Sequence, residues 1–181
     1  MLLPAPGARR TAYTLVLAWT GRTWACVVSA WANRLTRDAA AAGLLPALSA
    51  YPAWRPEVPW GESRLDFLLS GAALPPCLVE VKGVTLVGPD SVARFPDAPT
   101  ARGARHLHEL IRAAESGQRG AVVFAVQRPD ATCVTPNQTT DPAFATALVE
   151  AQKAGVLLLA FTTQVSPAGL VPDRAIPVYL G

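Results

Sequence analysis

The hydrophobic pattern of the chain changes period several times, and each change predicts an element. Short apolar runs bounded by Gly and Pro predict strands at residues 63–69, 78–82, 121–126 and 156–161. Apolar residues spaced three or four apart predict a helix at 100–115 and another from the capping Asp141 to Gly155. Helical crossovers between apolar strands indicate an α/β fold, with a mixed or mostly parallel sheet flanked by helices.

The remaining segments carry weaker patterns. Residues 11–18 and 24–29 are β-like and joined by a plausible hairpin, and residues 33–42 predict a helix that ends at Gly43. Residues 46–60 are expected to be turn-rich, 85–99 irregular, and a last short strand is expected near Val178. On the helix at 100–115 the polar residues are predicted to lie on the outer surface: Arg102, Arg105, His106, Glu109 and Arg112.

Charged residues interrupt the two strands at 63–69 and 78–82. Asp66 falls inside an apolar run, while Glu80 and Lys82 alternate and therefore project from one face of their strand. A hairpin would bring Asp66 beside Glu80. Two carboxylates and an ammonium at one point could hold a hard divalent cation and a water poised for attack. The alternative is an ordinary solvated strand face, because Glu-x-Lys alone is a weak signal.

Two observations favour a divalent-cation site over a solvated strand face. Leu78, Val79 and Val81 are apolar on both faces of the second strand, which indicates a buried strand where charges need partners. The chain also has fourteen Arg and only two Lys, Lys82 and Lys153. A lysine at this position therefore indicates a compact charge that a guanidinium does not replace.

Composition narrows the class of protein. The 181 residues suit one domain, with or without a small appendage, and 51% of them are hydrophobic. A net charge of +3 permits a polyanionic partner without requiring one. No apolar run reaches the roughly 18 residues of a membrane span, and three scattered Cys are expected to be reduced thiols of a cytoplasmic protein. The sequence has no Gly-rich phosphate loop and no Gly-x-Ser-x-Gly elbow, which disfavours nucleotide-cofactor enzymes and serine hydrolases.

Several longer motifs resemble those of a known family, the sugar fermentation stimulation protein A (SfsA) family, over residues 33–180. The matching motifs, in their order and spacing, are Ser63-Arg64-Leu65-Asp66-Phe67, Glu80-Val81-Lys82-Gly83-Val84-Thr85-Leu86, Phe95-Pro96-Asp97-Ala98-Pro99-Thr100-Ala101-Arg102-Gly103, His106-Leu107-His108-Glu109-Leu110 and Gln127-Arg128-Pro129-Asp130. That family is similar to nucleases of the PD-(D/E)xK, restriction-endonuclease-like superfamily. It carries an OB-like β domain in front and has been described as DNA-binding.

The resemblance implies two regions. Residues 33–181 would form the PD-(D/E)xK nuclease-like domain, and residues 1–32 would be the remnant of an OB-like domain. The family's longer N-terminal motifs, including an Asn-Thr-Gly-like segment, are absent here, so this segment is expected to be truncated. OB folds bind single strands through basic grooves and aromatic side chains. The residues of the short segment that could serve in part are Arg9, Arg10, Trp19, Arg22 and Trp24.

The resemblance also implies roles for individual residues. Asp66, Glu80 and Lys82 would be catalytic, and Asp66, Glu80 and the Val81 carbonyl would ligate Mg2+, with Mn2+ able to substitute. Glu57 would be either an additional ligand or a plain surface residue. The candidate contacts to phosphate or DNA are Arg64, Arg102, Arg105, His106, Gln127 and Arg128.

Three functions remain open at this point. The first is a Mg2+-dependent nuclease acting on DNA or RNA. The second is a DNA-binding regulator of sugar metabolism genes, of the maltose type, that has no catalytic activity. The third is a binding protein for a small acidic metabolite. An intact Asp66, Glu80 and Lys82 set favours the first function. A homodimer is compatible with the sequence, and no obligate protein partner and no membrane partner is implied.

Overall fold

The structure is a computed structural model that describes residues 1–4, 11–71 and 74–181. Arg9 and Arg10, named above as possible nucleic-acid contacts, lie outside the described residues. The helices are α1 (Trp31–Ala41), α2 (Pro46–Ser49), α3 (Ala101–Glu115) and α4 (Pro142–Lys153). The strands are β1 (Leu2–Pro4), β2 (Tyr13–Leu15), β3 (Leu17–Trp19), β4 (Trp24–Cys26), β5 (Ala53–Trp60), β6 (Ser63–Gly71), β7 (Leu74–Val84), β8 (Val92–Phe95), β9 (Arg119–Val126), β10 (Cys133–Pro136), β11 (Leu157–Ser166) and β12 (Gly169–Ile176).

A mixed sheet of six strands, in the order β12-β11-β9-β7-β6-β5, forms the centre of the molecule. The strands β7, β9 and β11 are parallel to one another, whereas β5, β6 and β12 run antiparallel to their neighbours. The apolar run of β9 lies in the middle of this sheet, where both faces of a strand are covered. The predicted α/β fold with a mixed sheet is therefore confirmed.

Helices cover both faces of the sheet. Side chains of α3 and α4 pack on one face, with Leu107, Leu110 and Phe144 in the core. Those of α1 and α2 pack on the other face, where Leu35 and Leu48 are buried against β6, β7 and β9. The helices α3 and α4 both begin at the predicted capping residues. Thr100 Oγ1 accepts a hydrogen bond from the N–H of Gly103 at 2.9 Å, and Asp141 Oδ1 accepts one from the N–H of Phe144 at 2.9 Å.

Three predictions about local structure are wrong. Residues 46–60 are not merely turns, because they contain α2 and the edge strand β5. Pro56 and Pro59 hide this strand in the sequence, and an edge strand tolerates the missing N–H groups. Residues 85–99 contain β8, whose partner β10 comes about forty residues later. The last strand is β12, an edge strand whose residues are exposed or half-buried except for Ile176, and Val178 forms only an isolated bridge with Val134.

The polar face predicted for α3 is also partly wrong. His106 and Glu109 are buried, whereas Arg102, Arg105 and Arg112 are exposed as expected. His106 contacts Glu80 on β7, and Glu109 accepts from the Glu62 N–H in the turn between β5 and β6, so polarity alone did not indicate which way these side chains point. No helix in the described part of the chain is long and apolar enough to cross a membrane. Cys26, Cys77 and Cys133 are all free thiols in the structure.

Candidate active site

The candidate site forms where β6 and β7 stop pairing. Their ladder includes the pair Phe67–Val79 and ends there, and one further step of the same register would set Asp66 opposite Glu80. Instead of a ladder bond, the N–H of Val81 donates to Asp66 Oδ2 at 2.8 Å. The Asp66 side chain thus satisfies a backbone donor that the divergence of the strands leaves open. A second donor, Asn33 Nδ2 on α1, contacts Asp66 Oδ1 at 2.8 Å.

Glu80 is buried and faces α3, whereas Asp66 contacts α1 on the other face of the sheet. Its Oε1 accepts from Lys82 Nζ at 2.7 Å and from Nδ1 of His106. Its Oε2 is buried and has no hydrogen-bond partner among the described residues. The only other buried side-chain atoms in that condition, within the described part, are the hydroxyl oxygens of Ser63 and Thr163. An ionised oxygen without a partner is the more costly case, because charge is harder to bury than a hydroxyl.

His106 is held at both ring nitrogens. Nδ1 contacts Glu80 Oε1 at 2.5 Å, and Nε2 receives the Nε–H of Arg102 at 3.3 Å. A guanidinium can only donate, so Nε2 must be the acceptor and Nδ1 must carry the proton. The imidazole therefore donates its Nδ1–H to Glu80, and its two partners fix the orientation of the ring.

The two carboxylates have opposite electrostatic environments. Burial raises the pKa of Asp66 above its usual value, and the nearby charge of Glu80 raises it further. The hydrogen bonds from the Val81 N–H and Asn33, and the positive charge of Lys82, lower the pKa again only in part. Burial also acts to raise the pKa of Glu80, but the hydrogen bond from His106 and the charge of Lys82 outweigh it and leave the pKa lowered. Glu80 is thus held ionised, while Asp66 resists ionisation without a further positive charge.

These residues fit a divalent cation. A cavity of about 490 Å3 is lined by Asp66, Val81 and Lys82. Oxygen donors suit hard cations, and Mg2+ is commonly held by one or two carboxylates with waters. A third acidic or imidazole ligand is not required, and none of the described residues forms a group of three or more His, Cys, Asp or Glu side chains placed to hold a metal. Glu80 itself does not line this cavity, and its buried, partnerless Oε2 is the atom that a cation held by both carboxylates would satisfy.

The other residues predicted for the site lie at different distances from it. Glu57 is exposed on β5, with a left-handed φ of 50°, and pairs with Arg64 at 3.3 Å. Gln127 lines the cavity of Asp66, where its amide nitrogen donates to the Val28 carbonyl at 3.0 Å. Arg128 is buried and bound to Asp130 at 2.7 Å. Of the six predicted phosphate contacts, His106, Gln127 and Arg128 are buried and hydrogen-bonded inside the protein. Arg64, Arg102 and Arg105 are exposed, although Arg64 pairs with Glu57 and Arg102 donates to His106.

Two residues of the site were missed. Asn33 fixes Asp66 from α1, yet it comes 33 residues earlier, so no spacing in the sequence connects the two. Asp97 lines the same cavity as Asp66 and Lys82. It belongs to a motif quoted above, and its carboxylate in a Pro-flanked loop was the available signal.

The fold and the site define a mixed α/β protein with two carboxylates and a lysine where two strands of its sheet diverge. A family model described as the sugar fermentation stimulation protein RE domain matches residues 30–169. The chain belongs to the sugar fermentation stimulation protein family, as the sequence motifs predicted.

Similar proteins agree with this assignment. A sugar fermentation stimulation protein homolog of Symbiobacterium thermophilum is 48% identical over 178 residues, which are 96% of this chain and 71% of that protein. A homolog of Moorella thermoacetica is 47% identical over 161 residues, 89% of this chain and 69% of that protein. The structure of Pyrococcus furiosus SfsA in complex with Ca2+ is similar with a TM-score of 0.89 and 29% identity, over 98% of this chain and 76% of that one.

Proposed function

We propose that this chain is a divalent-metal-dependent nuclease that hydrolyses phosphodiester bonds of DNA or RNA. The observation that carries the proposal is the partnerless Glu80 Oε2, buried in a site that also contains Asp66 and Lys82. The Ca2+ in the structure of the Pyrococcus furiosus relative supports an ion of this class. The proposal assigns residues 33–181 to a restriction-endonuclease-like domain and residues 1–32 to an OB-like segment.

Asp66 and Glu80 would hold the cation, with the Val81 carbonyl as a further oxygen ligand. The physiological ion would be Mg2+, with Mn2+ able to substitute. When bound, the cation supplies Lewis-acid stabilisation of the charge that develops on the phosphate and eases deprotonation of the attacking water. Asn33 and the Val81 N–H keep Asp66 in place, and His106 does the same for Glu80.

Lys82 would act on the reacting phosphate. In hydrolysis the water oxygen bonds to phosphorus, the ester P–O bond breaks, and the departing oxygen takes up a proton. Negative charge grows on the phosphate oxygens during this step. The Lys82 ammonium has three N–H donors and uses one on Glu80, so others can bind a phosphate oxygen or orient the water.

The experiment is cleavage of labelled single- and double-stranded DNA and RNA with Mg2+, with Mn2+ and with chelator. Asp66→Ala, Glu80→Ala and Lys82→Ala are compared with Lys153→Ala, which removes the chain's other lysine from the exposed side of α4. We expect metal-dependent cutting by the wild type and by Lys153→Ala only. Lys82→Ala should abolish cutting while leaving binding nearly intact.

Three results would contradict the proposal. Equal loss of cutting and binding in Lys82→Ala would contradict the role of this lysine. Well-folded wild-type protein that retards DNA but never cuts it would instead support a DNA-binding regulator without catalytic activity. Binding of neither DNA nor RNA would remove both functions and favour a small acidic ligand, whose affinity would depend little on salt.

A further inference from the structure

A second and larger cavity lies beside the candidate active site. It has a volume of about 730 Å3 and separates α1 from the edge strand β5; we call it the α1–β5 cleft. Arg34 and Arg37 line it from the helix, and Trp54 and Glu57 from the strand. This volume falls in the range, roughly 300–1,000 Å3, of pockets that hold small organic ligands. A nucleotide fits such a space and a nucleic-acid duplex does not.

Asn33 connects the α1–β5 cleft to the candidate active site. Its side chain lines the cleft and also lines the cavity of Asp66 and Lys82. Its amide nitrogen donates to Asp66 at 2.8 Å. A ligand that extends from the cleft past Asn33 therefore arrives directly at Asp66.

Trp54 gives the cleft a fixed aromatic surface. Its ring meets Phe67 edge to face at a centroid distance of 5.3 Å, and its Nε1–H donates to the Tyr51 carbonyl at 3.2 Å. The packing and the hydrogen bond hold the ring, which remains partly exposed. Such a ring can stack on a nucleic-acid base, whatever the base, because every base has a π face.

The charges of the cleft suit a few phosphates rather than many. Glu57 is paired with Arg64 at 3.3 Å, and Arg34 lies 3.7 Å from Asp38 with both side chains largely exposed. An exposed pair of that length is weak and easily exchanged for a phosphate. Within the described part of the chain Arg37 has no ion pair and is exposed. The cleft therefore offers two arginines one turn apart on α1.

We propose that the α1–β5 cleft binds a short single-stranded segment of the nucleic acid that enters the candidate active site. One base stacks on Trp54, and the phosphates beside it contact Arg34 and Arg37. A duplex cannot use this surface, because its bases are stacked on each other and their faces are covered. The proposal rests on the proposed nuclease function and adds the strand form of its substrate.

The test is fluorescence anisotropy of labelled single strands and of blunt duplexes of the same sequence, in chelator and at several salt concentrations. Trp54→Leu and Arg37→Gln are compared with Tyr179→Leu, an exposed aromatic residue that does not line the cleft, and with Arg55→Gln, which neighbours Trp54 but does not line the cleft either. We expect Trp54→Leu to weaken single-strand binding by roughly fivefold or more. Arg37→Gln should lower the slope of log Kd against log salt by about 0.7. Duplex binding and both controls should change little.

Trp54 also packs on Phe67, so Trp54→Phe is included as a variant that keeps a ring against the core. Arg37→Gln alters only an exposed side chain and remains informative even if Trp54→Leu does not fold. Unchanged single-strand binding in Arg37→Gln and both Trp54 variants overturns the proposal, as does an equal loss for single strands and duplexes. Cleavage by wild-type protein in Mg2+ is measured separately. A wild type that cuts while these variants bind normally retains the nuclease and excludes the cleft.

Discussion

Glu80 and Glu109 are two buried carboxylates at the inner side of α3, and they are satisfied to different degrees. Glu80 is 4% exposed, and its donors, Lys82 and His106, both bind Oε1. Glu109 is 1% exposed, and both of its oxygens accept hydrogen bonds, one from the Glu62 N–H at 3.3 Å and one from Arg112 Nε at 3.2 Å. The comparison separates a carboxylate with both oxygens hydrogen-bonded from one whose Oε2 has no partner among the described residues, which is the atom that the proposed cation would bind.

Glu109 supports the turn between β5 and β6. Gly61 in this turn has a φ of +54°, and a Cβ there would overlap the Glu109 carboxylate. Only glycine allows the backbone to approach the carboxylate this closely in that conformation. Glu109 therefore fixes a hairpin, whereas Glu80 lies beside the point where β6 and β7 separate.

The largest effect is expected from Glu80→Gln. The variant keeps the shape of the side chain and an oxygen for Lys82, but it loses the charge that a divalent cation requires. We expect the rise in melting temperature that Ca2+ or Mn2+ gives the wild type to disappear, since a ligand stabilises only the state it binds. Calorimetry with and without the ion measures this. Glu109→Gln is the matched control and should keep the full response; loss in both variants would erase the distinction between the two carboxylates.

A smaller loss is expected when the support of Glu80 is removed. His106→Leu deletes the Nδ1–H donor and should weaken Ca2+ affinity by about 10- to 100-fold, the usual range for groups that orient metal ligands. His106→Asn can place an amide N–H near the position of Nδ1 and should recover part of the affinity. Isothermal titration without nucleic acid measures the binding. His108→Leu, exposed on the same helix, should bind Ca2+ like the wild type, and equal losses in both histidine variants would contradict a specific role for His106.

How far the sequence predicted this site depends on how far apart its parts lie in the chain. Asp66, Glu80 and Lys82 belong to neighbouring strands, so alternation and a short connection were enough to bring them together. Asn33 and His106 reach the site from helices on opposite faces of the sheet, and their contacts depend on packing that no local period encodes. The sequence showed that His106 is a polar residue of α3, but it did not show that the side chain points inward to Glu80.

The fold likewise divides into elements that a local sequence pattern predicted and elements that it did not. The buried strands β7, β9 and β11 were predicted from their apolar runs, because a strand covered on both faces leaves a continuous signal. The edge strands β5 and β12 were missed, since one contains Pro56 and Pro59 and the other is largely exposed. Helix starts at Thr100 and Asp141 were predicted correctly because capping is a local interaction.

Glu109→Ala should affect stability and leave metal binding unchanged. The variant removes the acceptor for the Glu62 N–H and for Arg112 and leaves space beside the turn. We expect a loss of about 1–3 kcal/mol in the free energy of unfolding, the usual effect of breaking a buried polar contact. Urea unfolding measures it, and Ca2+ titration of the folded variant should match the wild type. Arg112→Ala should cost less, because that side chain is 58% exposed.

The smallest effect is expected from Asp66→Asn in the presence of chelator, and it has the opposite sign. Burial, followed by the charge of Glu80, raises the pKa of Asp66 above its usual 3.8, so the folded protein holds this proton more tightly than the unfolded chain does. Ionisation of Asp66 therefore lowers stability, and this loss develops as the pH rises from the unfolded-state pKa through the folded-state pKa. Asparagine avoids the loss, so at neutral pH the variant should melt at a higher temperature than the wild type.

That difference should vanish at pH values well below 3.8, where Asp66 is protonated in both states. Added Ca2+ should reverse the order at neutral pH, because it stabilises the wild type and finds no second carboxylate in the variant. Melting curves of both proteins across pH, in chelator and in Ca2+, make the comparison. A variant that is less stable than the wild type in chelator would mean that the hydrogen bonds from Val81 and Asn33 outweigh the burial of the charge. Asp66 would then belong with Glu109 among the carboxylates that complete the fold, and Glu80 alone would remain open for a ligand.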